Sequence, residues 1–220
     1  MNKATKGIVT RVRNTFSPES LIFLSIIFVL ALLHYFYHDI FVLGHSNSIF
    51  YLDEEFSLGT LFSCIFASFG ALLALKHFRH TKAISSLVWS ILLFGLCLDE
   101  YLSIHEYLNE LIKRISNQES LFVNMAHYSW VISFGIGLAG ILFIFFIQQL
   151  RSTKSRAHKN LLIAAVICYS LVLPLEVFGG QRFGRESYIY FILVEEVLEM
   201  LGTVFLVELF IRKNAEESIA

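Results

Sequence analysis

Seven acidic side chains lie on one and the same predicted side of a membrane, within or at the ends of three long apolar stretches at about 83–106, 160–178 and 188–211. An ionised carboxylate at the centre of a bilayer costs about 2.5–3.5 kcal/mol even on a lenient insertion scale. Glu195 and Glu199 are four residues apart, so they share one face of a helix. A bound cation, protonation or a water-filled cavity must offset the cost of the seven groups, which are Asp99, Glu100, Glu106, Glu176, Glu195, Glu196 and Glu199.

Histidine side chains accompany these acids at the same ends of the apolar stretches. Carboxylate and imidazole ligands together suit Mn, Fe or Zn better than Mg or Ca. The sequence therefore predicts a divalent metal site. Its predicted ligands are Asp99, His105, Glu106, His127, Glu195 and Glu199.

Other polar groups suggest chemistry next to such a metal. Glu100 and Glu196 are the predicted general bases, and the substrate would be a lipid or a quinone. Arg182 and Arg185 lie in a glycine-rich loop and would hold an anionic headgroup, although the same two residues would serve equally well as counter-ions for the acids. The predicted supporting residues are His34, His38, Ser103 and Glu176.

The elements that must position these side chains are transmembrane helices. The chain has 220 residues, of which 56% are hydrophobic and only 16% are charged, against about 25% charged in a typical soluble domain. A helix needs roughly 20 apolar residues to cross a bilayer. Six stretches qualify, at about 20–43, 56–76, 83–106, 123–149, 160–178 and 188–211. The prediction is an all-α bundle of six transmembrane helices over 20–211, after a basic segment at 1–19 and before a tail at 212–220.

The charges divide between the two sides of such a bundle. Thirteen of the seventeen Lys and Arg residues fall on the side that holds both termini, and fourteen of the eighteen acids fall on the other. Because basic residues stay in the cytoplasm, both termini are predicted to be cytoplasmic. Topology alone explains the scattered basic residues, so no nucleic acid partner is expected. On the same side, His77, His80 and His158 are predicted to be ordinary polar loop residues.

Thiol chemistry is not expected from the three cysteines. Cys64, Cys97 and Cys168 lie in different predicted helices and form no Cys-x-x-Cys pair. Buried apolar thiols are the simplest interpretation.

The segments Leu98–Glu106 and Glu195–Gly202 resemble a pattern found in an uncharacterised family of multi-pass bacterial membrane proteins. The resemblance covers roughly the second to the sixth predicted helix. It implies a bacterial inner membrane location and supports the two segments as a unit, but it implies no activity.

Three classes of function remain open at this point. The first is a metal-dependent membrane protein, an enzyme acting on a lipid or a quinone in the outer leaflet. The second is a cation or proton transporter that uses the same carboxylates. The third is a small membrane effector or assembly partner that acts as a homo-oligomer. Beyond Glu199, the sixth predicted helix offers only Thr203 and Glu208 as polar groups, which favours a site open to one side over a conduit.

Overall fold

The computed structural model describes residues 16–42, 52, 57–104, 107–108, 111, 136–180 and 188–218. Over these ranges the chain is helical and contains no strand, which confirms the all-α prediction. The six helices are α1 (Pro18–Val42), α2 (Leu58–Thr81), α3 (Ile84–Leu102), α4 (Ile136–Ser152), α5 (Arg156–Gly180) and α6 (Tyr188–Glu217).

Four of these helices are long and apolar enough to cross a membrane, which indicates a membrane protein. Their candidate spans are Pro18–Phe36, Leu58–Thr81, Ile84–Leu102 and Arg156–Leu175, and α4 has a shorter apolar part at Ala139–Ser152. The longest helix, α6 with 30 residues, is not among the four. It carries Glu195, Glu196 and Glu199 in its first half.

Local sequence explains the tight connection from α2 to α3. Ser57 caps the start of α2, where its Oγ accepts a hydrogen bond from the Thr60 amide at 3.1 Å. The helix ends where Lys82 takes a left-handed conformation with φ 57°, and its amide donates back to the Phe78 carbonyl. Since α3 begins two residues later, the two helices form an antiparallel hairpin.

The centre of the described bundle is α6, which packs against α1, α2 and α5. One buried apolar cluster joins α2, α3, α4 and α5 to the second half of α6, and another joins α1 and α2 to its middle. Close approach depends on small residues: a Cβ on Gly70 would lie 3.1 Å from both Leu93 of α3 and Val207 of α6. Three helices therefore meet at Gly70.

Contacts between helix ends show which ends lie together. Glu217 at the end of α6 reaches His77 of α2, and His77 bonds Ser86 at the start of α3. We call this end of the bundle, where α1, α3 and α5 begin and α2, α4 and α6 end, the basic end, because most Lys and Arg residues of the sequence fall there. The opposite end, where α3 ends and α6 begins, is the acidic end.

Candidate functional site

The predicted carboxylates that the structure describes lie on α3 and α6. Asp99 and Glu100 are half-buried in the last turn of α3, and Ser103 follows directly in a left-handed conformation that ends the helix. Glu195, Glu196 and Glu199 are half-buried in the first half of α6. Each of these side chains takes part in a polar or electrostatic interaction. The acids are therefore integrated in the bundle rather than displayed on its surface.

Asp99 of α3 and Glu199 of α6 lie at similar depths in the bundle. Leu93 and Val207 both meet α2 at Gly70, so they mark one level of the bundle. At 1.5 Å per helical residue, Asp99 lies about 9 Å from that level towards the acidic end, and Glu199 lies about 12 Å from it. Asp99 and Glu199 therefore lie within about 3 Å of each other along the axis of the bundle.

A complete metal site does not emerge from the described side chains. Within the part of the chain that the structure describes, no three Asp, Glu, His or Cys residues come together closely enough to hold a metal ion. The predicted site residues His105, Glu106, His127, Arg182 and Arg185 lie outside the described residues, as do the side chains of His38 and Glu176. The metal-site prediction therefore gains no support from the described residues and stays a prediction.

His34, predicted to support the site, is buried inside the bundle. Only 1% of its surface is exposed, and its Nδ1 accepts a hydrogen bond from the Leu52 amide at 3.0 Å. Leu52 in turn packs on Gly59 of α2, where a Cβ would lie 2.7 Å from the leucine Cδ2. One ring nitrogen of His34 thus joins α1 to the residues that lead into α2.

A polar contact between α2 and α3 lies next to Asp99 and Glu100. The Cys64 thiol lies 3.5 Å from the Cys97 carbonyl oxygen, and Ser68 Oγ donates to Cys97 Sγ at 3.1 Å. All three cysteines are free. Cys168 is buried, as predicted for a core thiol, whereas Cys64 and Cys97 are only half-buried.

The contact between α5 and α6 holds the backbone around Glu199. Tyr169 Oη and Thr203 Oγ1 are 2.7 Å apart, and Thr203 Oγ1 donates to the Glu199 carbonyl at 3.2 Å. The Tyr169 ring covers Gly202, where a Cβ would lie 2.8 Å from the ring. Sequence reasoning missed Tyr169, because nothing local pairs a tyrosine of α5 with a glycine of α6.

At the basic end, Glu208 forms a buried polar centre that the sequence analysis also missed. Its carboxylate is 1% exposed and accepts hydrogen bonds from Ser17 N at 3.0 and 3.1 Å and from Ser20 Oγ at 2.6 Å. Arg212 Nε donates to the same group at 2.6 Å. The Ser17 and Ser20 contacts fix the start of α1 against α6, where a carboxylate is favoured by the helix dipole. The Glu208–Arg212 spacing of four residues was the available signal.

The prediction that His77 and His158 are loop residues is wrong. Both lie within helices, α2 and α5, and both are buried. His77 Nδ1 bonds Ser86 Oγ at 2.8 Å, and its Nε2 lies 3.1 Å from Glu217. The helices extend past the apolar stretches because these polar side chains find partners on neighbouring helices. His80 also lies within α2, so the loop prediction is wrong for it too, although its side chain is exposed as expected for a solvated group.

The second half of α6 is also tied to α2 by an amide. Asn214 Nδ2 donates to the Leu73 carbonyl of α2 at 3.0 Å and to Phe210 O at 2.8 Å. Beside it, burial lowers the pKa of Lys213, an effect that the nearby Glu216 and Glu217 carboxylates partly oppose. The last turns of α6 therefore belong to the folded bundle.

The fold and these groups define the class of protein. It is an all-helical chain whose helices are long and apolar enough to cross a membrane, with interacting ionisable side chains at both ends of the bundle. The chain belongs to the family described as a domain of unknown function (DUF8692), which matches residues 20–212. No curated protein matches the chain, and no solved structure matches it. The match is consistent with the resemblance to an uncharacterised family, whereas the two sequence segments and a bacterial origin stay predictions.

Proposed function

We propose that this chain is a multi-pass membrane protein that binds a divalent cation through carboxylates of α3 and α6 at its acidic end. Mn, Fe and Zn are the proposed metals. The observation that carries the proposal is the similar depth of Asp99 on α3 and Glu199 on α6, both half-buried on helices rich in apolar residues.

The energetic argument for a cation starts from the cost of placing several ionised carboxylates at membrane depth. Five described acids, on two helices, lie in the half of the bundle near the acidic end. Each ionised group at membrane depth costs about 2.5–3.5 kcal/mol if nothing offsets it. A divalent cation offsets two such charges at once and uses the oxygen ligands that these side chains provide. His105 and Glu106, which follow α3 in the sequence, are the proposed further ligands.

The proposed site opens to one side of the membrane. Between the acids and the basic end, the described core is closed by Leu93, Val204, Val207 and Phe210, all completely buried. An ion crossing a single copy of the chain would have to pass this apolar layer. A site reached only from the acidic end therefore fits the structure better than a conduit. Because most Lys and Arg residues fall at the basic end, we infer that the acidic end faces away from the cytoplasm in the proposed bacterial inner membrane.

The proposed chemistry follows the sequence prediction. A bound metal would act as a Lewis acid towards a lipid or quinone, and Glu100 and Glu196 would be placed to exchange protons with it. Both side chains lie next in sequence to proposed ligands, on the described parts of α3 and α6.

Metal analysis of the purified protein tests the proposal. We expect about one equivalent of Mn, Fe or Zn by inductively coupled plasma mass spectrometry in wild-type protein. Glu199→Gln removes the charge at nearly constant size and should lose most of that metal. Glu19→Gln changes an exposed acid at the other end of the bundle and should retain it.

Two results would contradict this assignment. One is wild-type protein without a transition metal, and the other is Glu199→Gln with as much metal as Glu19→Gln. Proton flux in liposomes would then test the remaining alternative, in which protons neutralise the same carboxylates.

A further inference from the structure

A cavity of about 370 Å³ opens at the basic end of the bundle. It lies between the first turns of α3 and α5 and the last turns of α4 and α6. Small-molecule sites usually measure about 300–1,000 Å³, so this cavity is large enough for a small polar group. The cavity lies at the end opposite the proposed cation site and does not depend on it.

The walls of this cavity are rich in hydrogen-bond donors. Ser85 and Ser86 of α3 and Ser155, which directly precedes α5, line it. The starts of helices carry unpaired backbone N–H groups and a partial positive charge, a combination that binds anions. At α3 the N-cap residue is Ala83, which also lines the cavity and makes no side-chain capping hydrogen bond. The Ser86 amide donates to the Ala83 carbonyl at 2.8 Å, so the amides of Ile84 and Ser85 are the ones that face an uncapped helix start.

Positive charge is concentrated around the same space. Lys154, between α4 and α5, and Lys213 of α6 line the cavity, and Glu216 is the acidic residue among its described lining. Lys213 is half-buried with its Nζ 5.3 Å from the centre of the Phe210 ring. A half-buried ammonium group is weakly screened by water, so it attracts an anion more strongly than an exposed lysine does.

A buried ring nitrogen provides an independent indication of a ligand. His158 lines the cavity and is only 5% exposed. Its Nε2 lies 3.3 Å from Glu216 Oε1, yet it has no hydrogen bond of acceptable geometry within the described part of the chain. A buried polar atom without such a bond is costly, and native structures usually satisfy it with a protein group, water or a ligand.

From these features we propose that the cavity at the basic end binds a phosphate group. Phosphate has several acceptor oxygens and no obligatory donor, so it matches serine hydroxyls, lysine ammonium groups and helix-start amides together. Ser86 Oγ and Ser155 Oγ already contact His77 Nδ1 and the His158 amide, so they would add a phosphate oxygen to existing hydrogen bonds. A cation would be repelled by Lys154 and Lys213. The phosphate could belong to a lipid headgroup in the adjacent leaflet or to a soluble phosphate, since the chemistry recognised is the same.

Binding experiments on the full-length protein in detergent separate these two sources. Isothermal titration calorimetry with inorganic phosphate at low ionic strength measures the soluble form. Native mass spectrometry with phosphatidic acid measures the lipid form, and diacylglycerol with the same acyl chains lacks the phosphate. We expect one molecule of phosphatidic acid, of inorganic phosphate or of each to bind per chain. Diacylglycerol should bind no better to wild-type protein than to the Lys213→Met variant.

Matched charge variants locate the binding. Lys213→Met keeps the apolar stem and removes the ammonium group, and it should weaken phosphate binding about tenfold or more. Lys154→Met should weaken it in the same direction, and its exposed position makes misfolding no concern. Lys76→Met removes an exposed charge outside the cavity, and Glu216→Gln removes the acid inside it. Lys76→Met should change the affinity for phosphate less than twofold, and Glu216→Gln should increase it.

The outcomes are decisive in both directions. Binding of phosphatidic acid alone assigns the cavity to a lipid headgroup, and binding of inorganic phosphate assigns it to a soluble phosphate. Absence of binding to either probe by wild-type protein would overturn the proposal. It would also be overturned if Lys76→Met weakened binding as much as Lys154→Met and Lys213→Met do, because that pattern indicates unspecific charge attraction.

Discussion

The two ends of this bundle differ in how deeply their ionisable side chains are buried. At the basic end, Glu208 and His77 are buried and have defined partners. Glu208 accepts hydrogen bonds from Ser17 and Ser20 at the start of α1, and His77 contacts Ser86 of α3 and Glu217 of α6. At the acidic end, Asp99, Glu195 and Glu199 are only half-buried, although the helices around them are apolar. Fully paired, buried groups hold helices together. Half-buried acids remain accessible from one side, which suits a binding site. The difference predicts that substitutions at the basic end will lower stability and those at the acidic end will alter binding.

The largest effect is expected at Glu208. Glu208→Ala leaves Ser17 N, Ser20 Oγ and Arg212 without their acceptor inside the bundle. Removing one partner from a buried charged network costs about 3–5 kcal/mol. Thermal unfolding in detergent should therefore show a strongly destabilised or unfolded variant. Glu19→Ala, which changes an exposed acid one turn into α1, should unfold like the wild type. Equal stability of the two variants would show that the buried Glu208 network does not stabilise the bundle.

A smaller effect is expected where α5 meets α6. Gly202→Ala places a methyl group 2.8 Å from the Tyr169 ring, which is held by Thr203. Overpacking of this kind costs about 1–3 kcal/mol, so the unfolding temperature should fall. Gly95→Ala is the matched control, since no atom lies within 4 Å of a Cβ at that helical position. It should leave stability unchanged or raise it. A stable Gly202→Ala variant would show that this contact does not fix α6.

The hydrogen bond between His77 and Ser86 should contribute less. Ser86→Ala removes the 2.8 Å partner of the buried His77 Nδ1 and leaves it the longer contact with Thr81 Oγ1, at 3.5 Å. An unsatisfied buried group of this type costs about 1–2 kcal/mol. Ser85→Ala removes the neighbouring hydroxyl and should cost clearly less in the same denaturation assay. If the two serine variants were equally destabilised, the specific role of the α2–α3 pair would be lost.

The smallest effect is expected at the exposed rim of the basic end. Glu216 lies 3.3 Å from His158, but its side chain is 66% exposed. Exposed ion pairs contribute about 0–1 kcal/mol and are screened by salt. Glu216→Gln should therefore change the free energy of unfolding by less than about 0.5 kcal/mol. A large loss of stability that salt does not change would show that the exposed Glu216–His158 pair stabilises the bundle as a buried pair does.

Apolar length predicted the helical architecture well but placed several helix ends too early. The second predicted helix ended at 76, whereas α2 continues to Thr81, and the sixth ended at 211, whereas α6 continues to Glu217. Both extensions consist mostly of polar residues that hydropathy alone assigns to loops. They remain helical because His77 and Asn214 bond to neighbouring helices, which are contacts between residues far apart in sequence.

The candidate site was predictable only at the level of segments. Helical spacing placed Glu195 and Glu199 on one face, and in the structure Asp99 and Glu199 lie at similar depths. The roles of Tyr169 and Glu208 could not be predicted, since they depend on which helices are neighbours. Periodicity within one helix carries no information about the identity of its neighbour.

The central claim is that Asp99 on α3 and Glu199 on α6 bind one cation together. Titration with Mn²⁺, followed by electron paramagnetic resonance, measures binding to wild type, Asp99→Asn, Glu199→Gln and the double variant. Groups that act in one site are not additive. We predict that each single variant loses most of the Mn²⁺ binding. The double variant should bind Mn²⁺ no more weakly than the single variant with the lower affinity. Unchanged binding in either single variant, or two independent losses that multiply in the double variant, would contradict the claim.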